Sequence, residues 1–168
     1  IQRRRRELWR RWSQWELVKD GTMKPHDFLQ KLDDAEVVKA IKAAERKTSG
    51  EIRVFVTSRD LGADKVVDRA TARFEKLGMT ATRERNGVLL YFVPRAHQFA
   101  IVGDRGIHEK CGEAFWGDVA SGIGAKLKEG RFTEAVVRAI EKTGEALARH
   151  FPRRPDDRNE LPDAVGQD

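Results

Sequence analysis

Three oxygen-bearing side chains that lie far apart in the sequence are predicted to meet at one end of a β-sheet. Glu51 begins one predicted strand, Asn86 comes just before a second, and Asp104 follows a third. Hard cations such as Ca²⁺ prefer carboxylate and carbonyl oxygens, with waters completing a shell of roughly six to eight ligands. These residues therefore predict a site for Ca²⁺ or another divalent cation. In the alternative interpretation, Glu51 and Asp104 pair with nearby arginines and bind no metal.

A rival metal site is predicted at the opposite end of the sheet. Asp60, Asp64 and Asp68 follow the first predicted strand. Asp64 and Asp68 are four residues apart, so they would share one face of a helix. Asp64 would also serve as the N-cap of that helix, which is the structural alternative.

The elements that position these residues centre on a predicted hairpin. Val88–Val93 is a run of six apolar residues that ends at Pro94, which cannot donate to a strand ladder. Gln98–Val102 is the next strand, and the three residues that remain after Pro94 allow only an antiparallel hairpin. This connection places Asn86 and Asp104 at the same end of the sheet.

The rest of the chain predicts an α/β fold. A strand at Glu51–Ser58 and a helix at Lys65–Leu77 lead into the hairpin, which implies a parallel pair with a right-handed crossover. Further helices are predicted from Asp33, at His108–Lys128 and at Phe132–Phe151. The expected architecture is a three-layer α/β/α sandwich with a small mixed sheet, in which two strands are parallel and the third closes the antiparallel hairpin.

The predicted helix at His108–Lys128 contains a stripe of apolar residues and several glycines. The stripe includes Phe115, and the neighbouring Trp116 is expected to be a packing residue at its border, with a binding platform as the alternative. The glycines predict close packing against the sheet or a neighbouring helix, and a broken helix is the alternative. Cys111 lies on the stripe and is interpreted as a core residue.

Residues 1–18 are basic and aromatic, and their tryptophan spacing predicts a helix. That segment could contact a membrane surface or a partner, or it could place one or two tryptophans on its own domain. The predicted organisation is an N-terminal extension (1–32), an α/β domain (33–151) and a C-terminal tail (152–168). Met23 could be an internal start. Because the apolar stripe of the segment is short and its charges repel one another, deletion of residues 1–22 is expected to change stability only slightly.

Composition limits the classes of function. The net charge is +6, and residues 1–12 contribute six arginines and one glutamate, so the remainder is nearly neutral and makes no strong case for nucleic-acid binding. A single cysteine excludes an internal disulfide. The chain shows no signal sequence and no apolar run long enough to span a membrane, so a cytoplasmic location is expected. No catalytic nucleophile is identified, and the catalytic residues stay unknown.

The order of motifs resembles the TPM domain family. The resemblance runs through Ala44–Val56, the Arg85–Ile107 segment with its NGVLL run and G-x-x-G-I turn, Phe115-Trp116 and Glu129–Ile140. It covers about Asp33–Phe151. This family groups plant thylakoid lumen proteins, a photosystem II repair protein and a nematode receptor-modulating protein. The chain resembles the short bacterial members that lack a signal and an anchor.

The resemblance implies an α/β/α sandwich, in agreement with the residue-level prediction. It also implies acid phosphatase activity, divalent-metal binding, or assembly and repair of membrane complexes. The favoured function is a divalent-metal-binding interaction or assembly module with a protein partner that the sequence does not name. The alternative is a weak metal-assisted acid phosphatase, and binding of nucleic acid or a membrane surface through residues 1–18 comes third.

Overall fold

The computed structural model describes residues 8–14, 28, 30–156 and 163–168. Helices and strands alternate through most of this part of the chain. The longer helices are α1 (Asp34–Glu45), α2 (Val66–Lys76), α3 (Arg105–Lys128) and α4 (Phe132–His150). The strands are β1 (Trp9–Gln14), β2 (Glu51–Val56), β3 (Gly87–Val93), β4 (Gln98–Gly103) and β5 (Gly166–Gln167).

The sheet has the strand order β1-β4-β3-β2-β5. Strands β2 and β3 are parallel, with Glu51 opposite Gly87, and β3 and β4 form an antiparallel hairpin, with Val93 opposite Gln98. These two pairings confirm the predicted mixed sheet. A short 3-10 helix, Pro94–Ala96, makes the connection in the hairpin.

Helices cover both faces of the sheet because successive side chains of a strand point to opposite sides. Val54 and Leu90 belong to a buried cluster with residues of α1, α3 and α4. Phe55 and Leu89, their immediate neighbours in sequence, belong to a second cluster with residues of α2. The predicted three-layer α/β/α class is therefore confirmed.

Local sequence signals account for the ends of several helices. The side chain of Asp33 accepts a hydrogen bond of 3.2 Å from the backbone N–H of Glu36 and caps α1, as its spacing predicted. Asp104 is the N-cap residue of α3, and its side chain accepts a hydrogen bond from the backbone N–H of Arg105, so that helix begins at Arg105, ahead of the predicted start at His108.

The prediction of an N-terminal helix is wrong for the described part of that segment. Trp9–Gln14 is a strand that pairs antiparallel with β4, from Trp9 opposite Gly103 to Gln14 opposite Gln98. Leu8 and Trp9 are 6% and 9% exposed and belong to the clusters on opposite faces of the sheet. The tryptophan spacing was misleading because the open edge of β4 offers backbone groups with which this segment pairs. The remainder of residues 1–32, apart from 28 and 30–32, lies outside the described residues.

The segment predicted as a C-terminal tail also contributes to the sheet. Gly166 and Gln167 pair in parallel with Phe55 and Val56 of β2. Strands on both sides of the predicted 33–151 domain thus extend its sheet in the structure.

Three glycines of the predicted helix at His108–Lys128 do not have the predicted role. Gly112 has φ 76° and ψ 172°, so the helix is interrupted there. An added Cβ at Gly112, Gly122 or Gly124 would have no atom within 4 Å, apart from local backbone. Close packing is therefore the wrong explanation for these three positions, and the alternative of a broken helix applies at Gly112.

Among the described residues, no helix is long and apolar enough to cross a membrane.

Candidate metal centres at the two ends of the sheet

The structure brings Glu51, Asn86 and Asp104 to the same end of the sheet. Glu51 lies opposite Gly87, the residue after Asn86, in the parallel register. The backbone N–H of Asp104 donates a hydrogen bond of 3.0 Å to the carbonyl oxygen of Gly87. The three residues are only 2%, 1% and 0% exposed, respectively.

The carboxylate of Asp104 is engaged by an arginine. Its Oδ2 lies 2.7 Å from Nε of Arg85, and its Oδ1 accepts a hydrogen bond of 2.8 Å from the backbone N–H of Arg105. Arg85 has a positive φ of 52°. Gly106 permits the close approach of α3 to this turn, because an added Cβ there would lie 2.5 Å from the carbonyl oxygen of Arg85. A cation at Asp104 would have to displace a guanidinium that is already well placed.

Asn86 belongs to a polar network beside this ion pair. Its Nδ2 donates to Ser49 Oγ at 3.2 Å and to Glu84 Oε2 at 3.4 Å. Arg154 approaches the other oxygen of Glu84 at 2.6 Å. Asn86 Oδ1 has no hydrogen-bond partner among the described residues.

Glu51 lies in a buried group of carboxyl side chains around Arg53. Burial, together with a hydrogen bond to Asp163, raises the pKa of Glu45 to about 10, so this carboxyl is neutral at physiological pH. Its Oε1 accepts a hydrogen bond of 3.0 Å from the backbone N–H of Ile52. Burial lowers the pKa of Arg53, and the nearby acidic groups, Asp163 foremost, oppose that shift.

Sequence reasoning missed Glu45 and Asp163 as members of this group. A signal for Glu45 was present, since it follows Val37 and Ile41 at spacings of four on the buried stripe of α1. Nothing in the local pattern around Asp163 distinguishes it from other acidic residues of the C-terminal segment.

The rival residues lie around a cavity at the opposite end of the sheet. A half-open cavity of about 540 Å³ lies between the β2–α2 loop and the β3–β4 turn. Its lining includes Asp60, Asp64, Lys65, Ala96 and Gln98. In open α/β sheets, ligands bind outside the carboxyl ends of the parallel strands, and this cavity has that location.

Arg69 of α2 is bound by oxygen atoms of this loop. Its Nε lies 2.7 Å from Oδ2 of Asp64, and its Nη2 donates to the carbonyl oxygens of Asp60 and Leu61 at 3.1 and 3.3 Å. The hydrogen bond to Asp64 raises the pKa of Arg69 above its ordinary value. The loop thus already holds a cation through the types of oxygen ligand that a hard metal ion would use.

Asp68 is more peripheral than Asp60 and Asp64. Its side chain is 66% exposed and lies 4.0 Å from the guanidinium of Arg10 on β1. Among the described residues, no group of three or more His, Cys, Asp or Glu side chains is arranged to hold a metal ion. A cation at the loop would therefore depend on two carboxylates supplemented by backbone carbonyl oxygens and water.

Trp116 is completely buried and packs inside the protein. Its ring stacks on that of Trp9, with centroids 5.0 Å apart, and Trp9 also stacks on His108 at 5.4 Å. Phe115 meets Trp116 edge to face. Cys111 is half-buried against the same cluster, and burial raises the pKa of its thiol.

The sequence model of the TPM domain matches residues 22–146. The chain belongs to the TPM domain family. An NMR structure of the BA42 protein from the psychrophilic bacterium Bizionia argentinensis is similar to this TPM domain, with a TM-score of 0.74 and 38% sequence identity. The similarity covers 82% of this chain and 96% of that one. A comparison with curated proteins found no match.

Proposed function

We propose that this TPM domain is a divalent-cation-binding interaction module and that the cation binds at the β2–α2 loop. The observation that supports this location is the cluster of loop oxygens, from Asp64 and the carbonyl groups of Asp60 and Leu61, that converges on the guanidinium of Arg69. A Ca²⁺ ion needs such carboxylate and carbonyl ligands and completes its shell with water. The cavity beside the loop provides room for that water and for a group from a partner protein.

The opposite end of the sheet fits a cation less well. Asp104 is fully buried and already bonded to Arg85, whereas the side chain of Asp64 is 59% exposed beside the cavity. Ion binding at Asp64 requires release of an exposed arginine pair, and exposed pairs contribute only about 0–1 kcal/mol. Ion binding at Asp104 requires disruption of a buried pair, which costs several times more.

Calorimetric titration of Ca²⁺ into the EDTA-treated full chain tests the proposal. Binding should be lost in Asp64→Asn and retained in the matched exposed control Asp118→Asn. Arg69→Ala should bind Ca²⁺ more tightly, because the ion no longer competes with a tethered guanidinium. Binding that persists in Asp64→Asn but disappears in Asp104→Asn would place the ion at the Glu51 end, and no heat with any divalent ion would refute both locations.

A weak metal-assisted phosphatase is the alternative function at the same loop. A bound cation can be structural, or it can polarise a phosphate ester and activate water. Turnover of a chromogenic phosphate ester, measured with and without EDTA, separates the two functions. Activity that needs the ion and disappears in Asp64→Asn would favour the phosphatase, whereas ion binding without turnover would favour the module.

A further inference from the structure

The outer edge of β2 holds an extended peptide. The peptide is the C-terminal segment Asp163–Asp168, in which Gly166 and Gln167 pair in parallel with Phe55 and Val56. This segment lies beyond residue 146, where the match to the family model ends. Addition of a strand to a sheet edge is a recurrent mode of peptide recognition, in which backbone hydrogen bonds provide affinity and side-chain contacts provide specificity.

One end of the segment is bound through an acidic residue. The side chain of Asp168 accepts a hydrogen bond of 2.6 Å from Thr57 Oγ1, and its other oxygen lies 3.3 Å from Nη2 of Arg73. Its backbone oxygen accepts a further bond of 2.8 Å from Ser58 Oγ. The side chain of Asp168 is only 19% exposed as a result. The side chain of this aspartate is therefore bound by one cation and one hydroxyl group, and a second hydroxyl group binds its backbone.

The middle of the segment requires a residue without a side chain. A Cβ added to Gly166 would lie 2.4 Å from Cδ2 of Phe55. The ring of Phe55 cannot easily move aside, because it is held by two neighbours. It stacks on Tyr91 with centroids 5.7 Å apart, and the guanidinium of Arg73, on α2, lies 4.2 Å from the centroid of the Phe55 ring. Phe55 thus excludes every residue except glycine at this position of the bound strand.

The other end of the segment is also acidic and meets a second arginine. Asp163 interacts with the side chain of Glu45 and, electrostatically, with Arg53 near the beginning of β2. The six-residue segment, of which Gly166 and Gln167 form the strand, thus reaches from Arg53 to Arg73. Acidic residues at its two ends match these two cations.

We infer that the edge of β2 is an acceptor site for an extended acidic segment of another protein, and that the chain's own C-terminal segment occupies this site in cis. The fitting partner segment carries acidic residues at the positions of Asp163 and Asp168 and a glycine at the position of Gly166. A tethered segment competes at an effective concentration in the millimolar range, roughly, so a partner must displace it or bind when it is released. The inference goes beyond the proposed cation binding, because it assigns a peptide to the edge of β2 and not an ion to the loop oxygens around Arg69.

The test uses the full chain with Gly166→Val, in which the clash with Phe55 should release the C-terminal segment. The probe is a fluorescently labelled peptide with the sequence of residues 163–168, and binding is followed by fluorescence anisotropy. Gly166→Val should bind the probe at least ten-fold more tightly than the wild-type chain. A probe with valine in place of its glycine, or with asparagine in place of both aspartates, should bind at least ten-fold more weakly than the unaltered probe.

Two variants assign the binding to this edge. In the Gly166→Val background, Arg73→Gln and Ser58→Ala should each weaken probe binding, and Ser58→Ala changes only an exposed hydroxyl that bonds Asp168. Continued protection of the C-terminal segment from carboxypeptidase in Gly166→Val would overturn the glycine requirement. Release of the segment without probe binding would overturn the acceptor site. If the wild-type chain forms a dimer and Gly166→Val abolishes it, the segment that binds at this edge belongs to a second copy of the chain. That result would overturn the inference that the partner is a different protein.

Discussion

Glu45, the last residue of α1, interacts with the side chain of Asp163 in the C-terminal segment. The two acidic side chains approach each other because Glu45 is protonated in its buried position. The contact joins the C-terminal segment to the beginning of β2, since Glu45 also accepts a hydrogen bond from Ile52. A proton is thus part of the folded structure at this point.

This protonation predicts a pH dependence of stability. The pKa of Glu45 is about 10 in the folded protein and near 4.5 as an ordinary glutamate, so the folded state retains a proton that the unfolded state loses between these values. The contribution of Glu45 is fully present below pH 4.5 and decreases as the pH rises toward 10. Glu45→Gln should keep the neutral hydrogen bonds and become increasingly more stable than the wild type from pH 5 to pH 9.

Thermal unfolding at several pH values measures this difference. Glu141→Gln, on the exposed face of α4, is the matched control and should follow the wild type at every pH. Parallel curves for Glu45→Gln and the wild type would mean that Glu45 ionises normally in the folded protein.

Trp9 is expected to contribute substantially to stability. It is only 9% exposed, and its ring stacks on those of Trp116 and His108. Trp9→Ala should lower the free energy of unfolding by about 3 kcal/mol, as for other buried aromatic truncations. Arg10→Ala, on the exposed side of the same strand, should change it by less than about 0.5 kcal/mol. Urea unfolding measures both variants. If Trp9→Ala and Arg10→Ala both changed the free energy of unfolding by an equally small amount, the expectation that residues 1–22 are dispensable would be restored.

Two glycines of α3 should respond oppositely to alanine. Gly122 lies in the helix with open space around an added Cβ, so Gly122→Ala should stabilise the protein by about 0.5–1 kcal/mol. Gly112 has a backbone conformation with φ 76° that alanine adopts poorly, so Gly112→Ala should be destabilising although it also has room. The midpoints of urea unfolding compare the two variants directly. Stabilisation by both would show that α3 can form without its interruption.

The Arg85–Asp104 pair should be a structural element of the Glu51 end. Asp104 is completely buried, so Asp104→Asn leaves the guanidinium of Arg85 without its anion and should cost about 3 kcal/mol in stability. Asp64→Asn disrupts a more exposed pair and should cost less than about 1 kcal/mol. Chemical unfolding of both variants at neutral pH gives this comparison. A negligible loss for Asp104→Asn would mean that its carboxylate is available for other ligands.

The sequence by itself determined the centre of the fold. The apolar run before Pro94 and the short gap to Gln98 specify the hairpin, and the side chain of Asp33 specifies the start of α1. These features depend on residues a few positions apart, so they are visible in local periodicity and turn chemistry. The same logic placed Glu51, Asn86 and Asp104 at one end of the sheet, because strand direction alone decides which ends meet.

Only the tertiary structure decided the edges of the sheet and the partners of its charges. Strand β1 forms because the open edge of β4 accepts its backbone, and backbone hydrogen bonds leave no signature in side-chain spacing. Arginine and aspartate are abundant along the chain, so the choice of Arg85 for Asp104 depends on the turn that positions Arg85. The proton on Glu45 likewise results from burial beside Asp163, a residue that comes close only when the whole chain has folded.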